Sequence, residues 1–214
     1  LVRKNYSIQP ALSQVFGFVT AYPLPVPAQA QKEAVAKYGE GTLVKVEARI
    51  TEGKVSLTLQ EGKFYEKNWL EILKQQLNNL NSITRAPPEF TLIITTDLSL
   101  TQGNVAACII EPSTINHQPS TIFIHPYYFS ISPEDLAREG LTLEQLQIKI
   151  LYHELISHIT KGLTDKNDEA MRDTNLAFKD VSVSKNNTQE SKSSNKEQLL
   201  GLGIVAAVLG SASN

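Results

Sequence analysis

The 214 residues carry 20 Lys+Arg against 22 Asp+Glu, a net charge of −2 with no basic block, which argues against nucleic acid or an anionic membrane as the main partner. That length supports one domain with tails and a sizeable core. Cys108 is the sole cysteine, so an internal disulfide and thiolate metal sites of the finger type are excluded; its setting, VAACIIE, reads as a buried strand with an inert thiol.

The chain starts with Leu rather than Met, which suggests a processed product or a fragment of a longer one. In residues 1–30, Arg3 and Lys4 precede the semi-apolar run ALSQVFGFVTAYPLPVP, which closes at Ala28-Gln29-Ala30. Basic start, apolar middle and a small-x-small triplet outline a degenerate export signal. The other reading is a Pro-rich arm lying on the domain. The protein is exported on the first reading and cytoplasmic on the second.

The domain itself is expected over residues 31–180. QKEAVAKY (31–38) is a short helix stopped by Gly39 and Gly41. TLVKVEARI and VSLTLQ both alternate apolar with polar residues around Glu52-Gly53-Lys54, which predicts a β-hairpin. NWLEILKQQLNNL places Trp69, Leu70, Ile72, Leu73, Leu77 and Leu80 at helical spacing, and Pro87-Pro88 closes that region. TLIITT (91–96), VAACII (105–110) and STIFIHP (120–126) are short runs rich in β-branched residues and predict interior strands. Ser132-Pro133-Glu134-Asp135 reads as a helix start, with Pro in the first turn and acids after it.

The stretch 143–161, LEQLQIKILYHELISHITK, is apolar nearly all round, with only Gln145, Lys149 and Thr160 marking a solvent stripe. Such a helix belongs in a core. Thr142 and Gln145 have capping-box spacing at its start, and Gly162 ends it. Taking about 100° per residue with His153 at zero, Ser157 lies near 40°, Glu154 near 100° and His158 near 140°. Buried histidines and a carboxylate need partners, and one metal ion would satisfy all three. A further helix follows at 166–178, its acidic start DKNDEAMRD being either a ligand source or a solvated first turn. Residues 181–198 are Ser/Asn/Lys-rich and read as a disordered linker. The apolar segment 199–214 is too short to span a bilayer, so no integral membrane span is expected.

His153-Glu-Leu-Ile-Ser-His158 resembles the active helix of zincin-type metallopeptidases, whose signature is His-Glu-x-x-His. In that signature the two histidines bind zinc and the Glu activates water. The resemblance covers roughly residues 90–180: three strands, the central helix, Gly162 and the acidic helix with Asp168-Glu169-Ala170. It implies an α+β fold with a mixed or antiparallel sheet packed on the central helix, and Zn2+ held by His153 and His158. It also implies Glu169 as third ligand, as in the Glu-ligated branch, and Glu154 as general base. Asp173, one turn further on, and Asp165 and Asp168 are the neighbouring alternatives.

The chain departs from the pattern in one respect. The second histidine stands at i+5, and Ser157 occupies the position the family gives to His. A π-bulge between 153 and 158 would bring the rings together. Otherwise Glu154 and His158, at i and i+4, form the binding pair, or simply an ion pair in an ordinary core helix. His125, closing the third interior strand, is a further ligand or a donor to one. His117 lies in a polar loop. Tyr127 or Tyr128 either steadies an oxyanion or packs at the strand end. Two functions follow: a zinc-dependent hydrolase acting on a peptide or protein substrate, or a non-catalytic scaffold or interaction domain of a larger exported protein that keeps the helix without the chemistry. The oligomeric state is not encoded in any of these features.

Overall fold

The computed structural model describes residues 19–62, 66, 68–80, 82–109 and 120–179. The Arg3-Lys4 start, the His117 loop, the 181–198 linker and the 199–214 segment lie outside them.

Alternation builds the first hairpin. In β2 (Thr42–Thr51) Val44, Val46 and Ala48 point into the core, and β3 (Lys54–Gly62) pairs with it antiparallel, Thr51 opposite Lys54. Glu52 and Gly53 form the two-residue turn with φ of 53° and 75°. Both values are left-handed, as a turn matched to strand twist requires, and glycine adopts that region without strain.

Three short apolar strands complete the middle of the sheet: β4 (Glu89–Thr95), β5 (Ala106–Ile109) and β6 (Thr121–Ile124). The strand order is β1-β5-β6-β4-β2-β3, with β4 and β6 parallel and every other pair antiparallel. The fold is α+β with a mixed sheet. Strand β1 (Val19–Ala21) falls within the 1–30 segment, which the sequence sets apart as an arm or signal. It is an edge strand paired to β5, and Tyr22, Leu24 and Val26 beyond it are buried. The alternation in Tyr-Pro-Leu-Pro-Val hides this, because the prolines withhold the hydrogens that a strand would show.

Helix α1 is Ala28–Tyr38 and α2 is Trp69–Asn78, whose Trp69, Leu73 and Leu77 are buried. A 3-10 turn at Pro126–Ser130 follows β6, and α3 (Pro133–Glu139) is capped by Ser132, whose hydroxyl accepts from Asp135 N. Helix α4 (Leu143–Leu151) starts with the full capping box, Thr142 and Gln145 each bonding the other's backbone. It runs without a break into a π-helix, Tyr152–Thr160, which packs against β5 and β1. Lys149 does not face solvent as its place in the stripe suggests. It is buried, and its Nζ donates to Glu139 Oε2 at 3.1 Å. Helix α5 (Glu169–Ala177) comes after a short 3-10 turn at Lys166–Asp168. The chain divides into two compact units, residues 1–174 and 175–214, and the sheet and the histidines belong to the first. Among the described residues no helix is long and apolar enough to cross a membrane.

Candidate metal centre

The π-helix decides how the histidines meet. At about 100° per residue, positions five apart diverge by about 140°; a π-helix closes its hydrogen bonds at i+5 and lays those positions over one another. Lys161 N accordingly reaches Ile156 O at 3.0 Å, and Thr160 Oγ1 donates to Leu155 O. His153 Nε2 and His158 Nε2 lie 3.0 Å apart, their rings 84° to one another. Both side chains are fully buried. Two nitrogens bound tetrahedrally to one zinc would be about 3.3 Å apart, so the spacing suits a shared ion.

Asp165 supplies the third atom. Its Oδ1 is 3.3 Å from His158 Nε2 and 3.7 Å from His153 Nε2, and its side chain is 46 % exposed, so the group opens to solvent on that side. Among the described residues His153, His158 and Asp165 are the acid, imidazole and thiol set whose ligand atoms lie close enough to hold one cation. Glu169 is not in it. That residue is exposed at the first turn of α5, because Asn167 and Asp168 both adopt left-handed φ, 63° and 57°, and break the helix that the sequence continues back to 166. Asp173 is turned elsewhere: it accepts from Ser157 Oγ at 2.8 Å and from Lys161 Nζ at 2.6 Å. Ser157, at the i+4 position, is therefore bound to α5 and not to the trio.

Each imidazole is also held from behind. His158 Nδ1 is 2.7 Å from the Leu163 carbonyl, which only accepts, so Nδ1 carries the hydrogen and Nε2 is bare in the neutral ring. His153 Nδ1 is 3.0 Å from Thr174 Oγ1. Burial pushes the His153 pKa down to about 3, and the neighbouring His158 adds to this. A neutral ring is the form that ligates metal.

Glu154 is completely buried, and burial raises its pKa to about 8, opposed by the backbone N–H of Tyr22. That N–H, 132 positions earlier in the chain, donates to Oε1 at 2.7 Å, while Oε2 has no hydrogen-bond partner. The Asp165 charge adds a smaller upward push to the same pKa. Glu154 and His158 do not form the i,i+4 pair: the carboxylate is taken by Tyr22, and the ring bonds Leu163 through Nδ1 and turns Nε2 toward His153. Unpaired buried carboxylate oxygens are costly, so Oε2 is open to a donor or a cation.

The remaining candidates are outside the trio. His125 is the N-cap of the Pro126–Ser130 turn, its Nδ1 accepting from Tyr127 N at 3.1 Å and its Nε2 2.7 Å from Gln31 Oε1. Tyr127 donates to Asp135 Oδ2, and Tyr128 to Gln76 Oε1 at 2.6 Å, so both hydroxyls serve internal networks. The Cys108 thiol is buried 3.2 Å from Thr20 Oγ1; burial pushes its pKa up, and its interaction with Glu154 adds to this. Thr174, Leu163 and Tyr22 carry no signal in the sequence, because each acts through tertiary contact. Asp165 had one, as the first carboxylate after the helix-ending Gly162. Comparison with family models, with curated proteins and with solved structures finds no match.

Proposed function

We propose that the chain is a zinc-dependent hydrolase of the zincin type that cleaves peptide bonds. The observation that carries it is the convergence of two buried imidazole Nε2 atoms, 3.0 Å apart, with the Asp165 carboxylate. The peptide class rests on the likeness of the His153–His158 helix to that of the zincins. In this reading His153, His158 and Asp165 hold the ion. Zinc, when bound, supplies a Lewis acid that acidifies water and polarises a carbonyl. Burial alone holds Glu154 protonated at neutral pH; a bound cation would favour its ionised form, whose Oε2 would accept the proton of the attacking water, while Tyr22 N–H holds Oε1 and fixes the carboxylate. Burial excludes bulk water from both imidazoles, and the half-exposed Asp165 marks the side of entry.

A second reading has its own support. Glu154 is fully buried and bonded to Tyr22, as a structural carboxylate would be, so the trio could serve a non-catalytic scaffold. Glu154→Gln separates the two. On the hydrolase reading the variant keeps its zinc and loses turnover of an unstructured casein-like substrate by roughly 10²–10⁴-fold. On the scaffold reading the parent has no turnover to lose. A parent protein that takes up no zinc at micromolar concentration would defeat the proposal.

A further inference from the structure

The acceptor that aims His153 lies outside the trio. Thr174 is fully buried on α5, and its Oγ1 donates to the Ala170 carbonyl at 2.8 Å. A hydroxyl has one hydrogen, so toward His153 Nδ1, 3.0 Å away, Thr174 offers only lone pairs. The ring must then carry its hydrogen on Nδ1. The neighbouring Ser157 Oγ, 3.2 Å from Thr174 Oγ1, gives its own hydrogen to Asp173 Oδ2 and leaves this assignment intact. We propose that Thr174 is a positioning residue for His153: pinned by Ala170, its hydroxyl fixes the tautomer that turns a bare Nε2 toward His158 and Asp165.

The consequence is chemical. With Nδ1–H on both rings, the two Nε2 atoms cannot hydrogen-bond each other across 3.0 Å. They face a common point as acceptors, which a cation relieves. One ring is set by the loop after the π-helix and the other by α5, so the ligand pair depends on two separate elements. Thr174 deepens the metal reading and rests on it for its purpose, though not for its geometry.

The test uses the full chain with Thr174→Val, which keeps the shape and removes the acceptor, and Thr174→Ser, which keeps the acceptor. Imidazole ¹⁵N shifts of the metal-free protein at neutral pH should place the His153 hydrogen on Nδ1 in the parent and in Thr174→Ser. They should show a mixture of tautomers in Thr174→Val. Zinc affinity, from competition with a chromophoric chelator, should fall about 10–100-fold in Thr174→Val, the loss typical when the partner behind a ligand is removed. Thr174→Ser should bind like the parent. A parent His153 with its hydrogen on Nε2 overturns the proposal, as does a Thr174→Val protein with unchanged tautomer and affinity. Equal losses in both variants overturn it too, since they would trace to the methyl group. A parent with Nδ1–H at His153 that binds no zinc upholds the role of Thr174 and defeats the metal reading instead. Should Thr174→Val not fold, the parent and Thr174→Ser spectra still decide the tautomer.

Discussion

Asp165 and Glu169 are four positions apart, yet only Asp165 brings an oxygen within 3.7 Å of both imidazoles. Asp165→Asn exchanges a carboxylate for a neutral amide, and zinc affinity should fall by at least about tenfold, since charged oxygen ligands bind the ion more strongly. Glu169→Gln should bind as the parent does. The reverse result, measured by chelator competition, would move the third ligand to α5. His125 calls for a different experiment. Burial holds its pKa near 4, below the ordinary histidine value of 6.5, so the unfolded chain takes up a proton that the folded chain refuses. Its contribution is complete above about pH 6.5 and is lost as the pH falls toward 4, by roughly 3 kcal/mol in all. His125→Asn keeps an acceptor for Tyr127 N and no longer titrates. Its denaturation midpoint should therefore fall less than the parent's between pH 7 and 4.5; parallel curves would show that His125 is not the source.

The π-helix is the element on which the site depends. A regular helix over 143–161 would send the two rings to separate places, and the wider turn gathers them. It ends at Gly162, where φ is 66° and the Leu163 N–H reaches back to Ser157 O at 3.0 Å. This end also presents the Leu163 carbonyl to His158. A Cβ at Gly162 would meet no atom within 4 Å, so Gly162→Ala tests backbone conformation alone. It should lower stability by about 1 kcal/mol, the scale of a left-handed non-glycine residue. A melting temperature equal to the parent's would mean that the helix terminates elsewhere. Ser157 completes the picture, its hydroxyl docked on Asp173 where a regular spacing would have put a ligand.

Across the whole molecule, the sheet edge made by β1 ties the beginning of the described chain to its catalytic candidate. Strand β1 pairs with β5, Tyr22 N–H holds Glu154, and the Tyr22 ring stands edge-on to His153 at 5.3 Å. Leu24, 1 % exposed, anchors the same segment, its carbonyl accepting from Val105 N at 2.9 Å. Leu24→Ala should cost about 2–5 kcal/mol, as for other interior leucines, and the loss should appear in the global unfolding transition. A dispensable arm would leave that transition unchanged.

Local pattern was enough for much of this protein. Period-two alternation and the Glu52-Gly53 turn mark the hairpin, short β-branched runs mark β4, β5 and β6, and Thr142 with Gln145 marks the start of α4. Those signals are legible because each depends on neighbours within a few residues. The α+β class follows from them, as does the burial of a helix holding His153, Glu154 and His158. Tertiary structure alone decided the rest. Whether five residues span an ordinary turn or a π-turn depends on what receives Ser157 and the rings, namely Asp173, Thr174 and Leu163. Asp165 stands beside the histidines, rather than Glu169, because Asn167 and Asp168 turn left-handed, a reversal that helical periodicity does not record. The strand in residues 19–21 forms only because β5 offers an edge that satisfies its backbone, and that edge lies more than 80 positions along the chain.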